Sequence, residues 1–165
     1  MLNPPLVPTD FNVPDLVETP HFRLRMLTVN DLDQDYEAVL SSAERLSTVF
    51  GENSDWPGNL TLEQELIDLG WHQKEFQMRT SFAYTVVNPD QSLCLGCVYI
   101  FPSPKVTFDA AVFLWVRDSV YNHGLDEVLY RFVKNWLEET WPFKAVAYPG
   151  RDMTWEVWNQ LPENS

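Results

Sequence analysis

Cysteine is scarce in this chain: Cys94 and Cys97 are the only two among 165 residues. Two are too few for a disulfide framework or for a four-cysteine zinc site. Both sit inside the apolar run Leu93–Ile100, which reads as a strand, where residues three apart point to opposite faces. They read as buried structural thiols rather than as a redox or metal pair. The three histidines are scattered along the chain, so no metal site is expected. Basic residues are also few, 11 against 24 acidic ones, for a net charge of -13. That excludes a phosphate-gripping nucleic-acid protein and argues against an anionic membrane surface. It suits either plain solubility or attraction of a cationic substrate such as an amine. No apolar run approaches the roughly 18 residues of a membrane span, and the N-terminus lacks the basic-then-apolar layout of a signal peptide. A cytoplasmic protein is the expectation. No repeat or low-complexity segment is present.

What the chain does have is apolar and aromatic mass, 45% and 14% of residues, enough for the core of one domain. Residues 1–20 carry Pro4, Pro5, Pro8, Pro14 and Pro20. They read as an extended arm, either packed across the domain or loose. The single domain then occupies residues 21–165.

Within it, Phe22–Leu27 alternates apolar with basic residues and predicts a strand. Thr28 with Asp31 resembles a capping box ahead of a helical stripe, Leu32, Tyr36, Val39, Leu40 and Ala43. Residues 46–59 are rich in Gly, Asn, Asp and Pro and form a loop, in which Trp56 either lines a site or covers the core. Thr61 and Gln64 cap a second helix. Its apolar side is Leu62, Leu66, Leu69 and Phe76, with Ile67 and Trp71 alongside, and His72 falls on or near its polar face. Gly70 in this helix suggests a close approach of another backbone. Ser81–Val87 and Leu93–Phe101 predict a hairpin around Asn88–Gln91. After the break at Pro102–Pro104 comes a further extended run, 105–116. Lys144–Tyr148 is the last strand, and residues 154–161 form a short amphipathic helix.

The organising stretch is Val112–Leu137. It opens as a strand, Val112–Val116, and passes through a polar turn. It continues as a helix whose apolar face is Leu125, Val128, Leu129, Phe132, Val133, Trp136 and Leu137. A strand feeding a helix N-terminus leaves backbone amides pointing outward, where an anion can bind.

The order of elements, this strand-turn-helix, the opening Arg23-Leu-Arg25 strand and the Leu95-Gly-Cys-Val-Tyr99 strand together resemble the GNAT superfamily of N-acetyltransferases. In that family a Gln/Arg-x-x-Gly-x-Gly/Ala turn holds the pyrophosphate of acetyl-CoA. Aligned on Leu125, the leading position here is Val120 and the first glycine is His123. Only Gly124 remains, shifted by one.

The resemblance implies an α/β, GNAT-like acyl-CoA N-acyltransferase fold, a mixed and mostly antiparallel twisted sheet with helices on both faces. It implies that the strands on either side of the Pro102–Pro104 break part to admit the thioester. It makes acetyl-CoA the co-substrate and a small-molecule or peptide amine the acceptor. Pyrophosphate would fall to Tyr121, Asn122, His123, Gly124 and Leu125, and pantetheine to the backbone of Leu114, Trp115 and Val116. Asp109 is the candidate base and Tyr148 the candidate acid, in place of a family tyrosine that would align near Trp158. His123 is a second candidate base. A standard domain adds one more strand after the last helix, an edge that only the N-terminal arm could fill here. Aromatics outside the core stripes could serve a homodimer. Asp126 and Glu127, in the first turn of the long helix, would repel a diphosphate. They favour the alternative, a GNAT-derived binding or scaffolding module that no longer takes CoA.

Overall fold

Three strands of this chain are buried along nearly their whole length, and the computed structural model, which describes residues 3–165, places them at the centre of one sheet. The six strands are β1 (Leu16–Glu18), β2 (Arg23–Met26), β3 (Phe82–Val87), β4 (Cys94–Pro102), β5 (Ala110–Val116) and β6 (Val146–Ala147). They lie side by side in chain order. Every neighbouring pair is antiparallel except β5–β6, which is parallel. Helices α1 (Leu32–Ser41), α2 (Ala43–Leu46) and α3 (Leu62–Gln77) cover one face. A short α4 (Asp118–Tyr121) precedes the long α5 (Leu125–Thr140), which covers the other face, and α6 (Trp155–Gln160) packs near the β6 edge. The expected fold class is the observed one.

Local chemistry sets the elements. Thr28 and Asp31 form a complete capping box ahead of α1. Thr61 caps α3 by accepting from the Gln64 amide at 3.1 Å, while the Gln64 side chain donates to Asp68 instead of reaching back. On α5, Leu129, Val133, Trp136 and Leu137 are buried, as their spacing predicts.

Four expectations are corrected. First, Cys94 and Cys97 pack into the same apolar cluster, because β4 carries an extra residue opposite β3: Val86 pairs with Gly96 but Val87 with Cys94. That bulge resets the alternation. Burial pushes the Cys94 thiol up to about 12, so it is inert. Second, α3 turns Glu65, Leu69, His72 and Phe76 inward, leaving Leu62, Leu66, Ile67 and Trp71 exposed. The inward carboxyl meets another, described below. Third, Gly70 admits no neighbouring backbone; a Cβ there would meet only the Val29 side chain at 3.9 Å.

Fourth, the proline-rich arm fills the opposite edge of the sheet from the one expected. Its strand β1 pairs with β2, not with β6. The arm is packed rather than loose. Leu6 donates to the Arg79 carbonyl at 2.7 Å, Arg79 donates to the carbonyls of Pro8 and Phe11, and Tyr84 donates to that of Pro14. Residues 1 and 2 lie outside the described residues. Among the described residues no helix is long and apolar enough to cross a membrane.

Candidate functional site

Antiparallel neighbours joined by a short loop stay hydrogen-bonded, whereas parallel neighbours joined by a long crossover are free to diverge. The sheet follows that rule. The strands flanking Pro102–Pro104, expected to part, are β4 and β5, and they pair without interruption from Gly96↔Val116 to Pro102↔Ala110. The parting occurs one strand over. β5 and β6 are joined through α5 and pair only at Ala110↔Val146 and Ala111↔Ala147. Beyond Ala147 the chain turns at Pro149 while β5 runs on to Val116. The divergence leaves a crevice of about 500 Å³ beside the start of α5.

Leu114 and Trp115 line this crevice, with Phe113, Pro149 and Gly150, and Trp155 stacks on Phe113 at 6.1 Å between ring centres. The Leu114 carbonyl faces the parted side, since it accepts from Arg151 Nη2 at 3.1 Å. Val116 lies two residues on, and its carbonyl accepts from Arg45 Nη2. A residue's N–H and C=O point toward the same neighbouring strand, so the Leu114 amide faces the crevice too. The Trp115 side chain goes to the α1–α3 face, where its Nε1 donates to Tyr99 Oη at 3.0 Å.

The turn after β5 is the part that sequence reasoning reads least well. It holds the extra helix α4, and most of its amides are already used. Asp118 N donates to Ser42 Oγ, Arg117 N to the Leu95 carbonyl, and the amides of Val120, Tyr121, Asn122, His123 and Gly124 to carbonyls three or four residues back. Gly124 sits at φ +85°, which favours glycine, and a Cβ there would meet nothing within 4 Å. Tyr121, Asn122 and His123 are exposed. The amides left without an i−4 partner by helix geometry are those of Leu125, Asp126 and Glu127. Two carboxylates stand at that tip. Arg151 grips Asp126 with two bonds of 2.8 and 2.9 Å, and Arg131 holds Glu127 at 2.7 Å. Arg45, which stacks on the Tyr121 ring at 4.1 Å, pairs with Asp118 at 2.6 Å. Arg45, Arg151 and Glu52 line the crevice and carried no signal in the sequence, because isolated arginines and glutamates are ordinary surface residues.

The candidate acid and base lie elsewhere. Asp109 precedes β5 at its far end, where its carboxylate accepts from the amides of Lys144 and Ala145 and fixes the entry to β6. Five residues of strand, about 17 Å at 3.3 Å each, separate it from Leu114. Tyr148 is buried on the α5 face, against Tyr130 and below Lys134, beside a separate cavity of about 250 Å³. Burial, with Tyr130 next, raises its phenol above the ordinary value. Neither residue lines the crevice.

A third cavity, of about 190 Å³, lies between α1, α3 and β4. Asp35 and Glu65 face each other there, 3% and 2% exposed. Burial, then hydrogen bonding to Glu65, raises the Asp35 carboxyl well above the ordinary range; burial also raises Glu65, partly offset by the bond from Asp35. His72, expected to be solvated, instead packs on Tyr99 and Phe101, and burial lowers its imidazole. The native state thus holds protons on the pair more tightly than the unfolded chain does. Its stabilising contribution is full below the ordinary carboxyl pKa and falls as pH rises through the raised native values. Asp35→Asn keeps a donor for Glu65 and removes the more strongly raised of the two carboxyls. It should stabilise the protein by about 1–3 kcal/mol at pH 8 and by much less at pH 4.5, measured as the mutant-minus-wild-type difference in thermal midpoint.

No protein-family model matches the chain, and neither does any curated protein. Solved structures do match. It aligns with the ribosomal-protein-S5-alanine acetyltransferase from Vibrio fischeri at a TM-score of 0.59 and 15% identity, covering 74% of this chain and 66% of that one. The ribosomal L7/L12 alpha-N-protein acetyltransferase RimL, in complex with coenzyme A, aligns at 0.59 and 16%, covering 73% and 67%. The microcin C7 self-immunity acetyltransferase MccE, in complex with acetyl-CoA and AMP, aligns at 0.53 and 11%, covering 75% and 67%. The chain spans about two thirds of the length of these proteins, and at such identities the likeness is one of fold: the fold is that of the GNAT acetyltransferases.

Proposed function

We propose that this chain, built on the GNAT fold, is an N-acyltransferase that takes acetyl-CoA in the crevice between β5 and β6 and transfers the acetyl group to an amine. The observation that carries the reading is the parting of β5 from β6 beside the α5 tip, where the β5 edge past Ala111 has no strand partner and the Leu114 amide faces the crevice. In this reading the Leu114 amide receives the thioester carbonyl and holds the oxyanion as the amine attacks. The C–N bond forms, the C–S bond breaks, and the thiolate leaves to be protonated by solvent. Glu52, the crevice carboxylate with no arginine partner among the described residues, takes the ammonium proton. The turn amides from 120 to 124 are occupied, so the pyrophosphate falls instead to the guanidinium groups of Arg45 and Arg151. Arg151 then exchanges Asp126 and the Leu114 carbonyl for phosphate oxygens.

The same Arg151–Asp126 clasp favours a second reading, in which the crevice is closed by its own ion pair and the domain is a binding module without CoA chemistry. One titration separates the two. Acetyl-CoA at 100 times its dissociation constant should stabilise the fold by about 2.7 kcal/mol, or roughly 5–10 °C in thermal midpoint. Arg45→Ala and Arg151→Ala should each weaken binding about tenfold or more, the loss of a charge-assisted bond. No shift at millimolar acetyl-CoA sinks the acyltransferase reading and leaves the binding module.

A further inference from the structure

The cavity between α1, α3 and β4 shares no lining residue with the β5–β6 crevice. Phe50, Trp56 and Trp115 stand between them, in ring contact at 5.2 Å for Phe50–Trp56 and 6.2 Å for Trp56–Trp115. It is therefore a separate space, and nothing said of the crevice accounts for it.

Its walls have an unusual composition. Asp35 Oδ1 and Glu65 Oε1 are both fully buried, and beyond the proton that the two carboxyls share, no donor among the described residues reaches either oxygen. Leaving such oxygens unmatched is costly in a low-dielectric interior, and that cost marks a place where a donor belongs. Around the two carboxyls stand Phe50, Trp56 and Tyr99, with His72 and Asp68 at the part-exposed side. Aromatic faces attract a desolvated cation, and carboxylates accept its hydrogen bonds. A divalent metal would need further hard ligands, and no cluster of three or more His, Cys, Asp or Glu side chains suited to a metal exists among the described residues. The volume, about 190 Å³, is that of roughly six liquid waters, the bulk of a three- or four-carbon amine. The net charge of -13 would draw such a cation to the surface.

We propose that this cavity is a binding site for a small primary ammonium ion, whose N–H groups donate to Asp35 Oδ1 and Glu65 Oε1 in place of the proton the pair shares, that proton leaving to solvent, while its alkyl chain lies among Phe50, Trp56 and Tyr99. The assignment does not depend on acetyl-CoA binding in the crevice, and its test contains no CoA.

The probe is n-propylammonium chloride, titrated into the full chain and followed by the indole N–H signal of Trp56 in nitrogen–proton correlation spectra. Potassium chloride at equal ionic strength and n-propanol at equal concentration are the comparisons. The expected result is a saturable shift of the Trp56 signal with n-propylammonium alone. It should weaken at least tenfold in both Asp35→Asn and Glu65→Gln, and persist in Asp109→Asn, whose carboxylate lies outside the cavity. Both cavity variants keep side-chain volume, and thermal midpoints establish that each is folded; if one is not, the other decides. An equal shift with potassium chloride would mean an ionic effect, an equal shift with n-propanol an apolar cavity only, and no shift a cavity filled by water. Each of these overturns the proposal, as does undiminished binding in the folded variants.

Discussion

Gly96→Ala should cost about 4 kcal/mol or more and leave little folded protein at 37 °C. A Cβ built on Gly96 lies 2.0 Å from the Trp115 carbonyl oxygen and 3.0 Å from the Val116 Cα. Both are backbone atoms of the neighbouring central strand, so no rotamer change relieves the overlap. Glycine in a strand interior marks such an approach of two backbones. The site is also where β4 bulges against β3, and the next amide bond out, from Arg117 N to the Leu95 carbonyl, pins the end of β5 at the crevice. Prying β5 from β4 here displaces Leu114 to Val116 and opens the core on both faces. A loss this large from adding one methyl group is exceptional and belongs to backbone clashes. Gly70→Ala is the internal control, because its site has room and lies in a helix. It should stabilise by up to about 1 kcal/mol. Urea midpoints of the two variants, measured side by side, check the pair. Equal, small effects would mean that β4 and β5 are not this close.

Trp141→Ala should cost about 3–5 kcal/mol, the range for emptying a large aromatic from a packed core. Trp141 is 4% exposed and lies where the arm, the sheet and α5 meet. Its ring contacts Phe11 at 5.1 Å, Phe82 at 5.2 Å, Trp136 at 5.4 Å and Phe143 at 5.7 Å. Truncation therefore loosens the proline-rich arm as well as the core, and cleavage of that arm by a low dose of protease should quicken. Trp141→Phe should cost far less. It keeps an aromatic in place, and the indole N–H it removes has no partner among the described residues. Thermal unfolding with limited proteolysis reads both effects; a tolerated alanine would show that the arm and the α5 face are held by other contacts.

Much of the fold was legible because its signals are local. The Thr28–Asp31 box and the Thr61 cap rest on residues a few positions apart, and the α5 stripe on a repeat of three and four residues. The site was less legible because its determinants are long-range. Arg151 meets Asp126 from 25 residues away, and Arg45 meets Val116 from 71. No spacing rule announces such partners. The inward face of α3 was misread for the same reason. Glu65 looks like a surface residue until Asp35, on another helix, is placed beside it. The bulge at Leu95 and the α4 insertion each shift a register by an amount that periodicity alone does not reveal. The parting of β5 from β6 follows from topology, which the strand spacing left open. Asp109 and Tyr148 have the chemistry of a base and an acid, but the sheet carries them away from the crevice.

The measurement that bears most directly on the account is the set of backbone amide shifts on adding acetyl-CoA to the full chain. The account predicts that the largest changes fall on Leu114, Trp115, Gly150, Arg151 and the α5 tip from Leu125 to Glu127, saturating together. Changes confined to the Pro102–Asp109 end of the sheet, or none at millimolar acetyl-CoA, would contradict it.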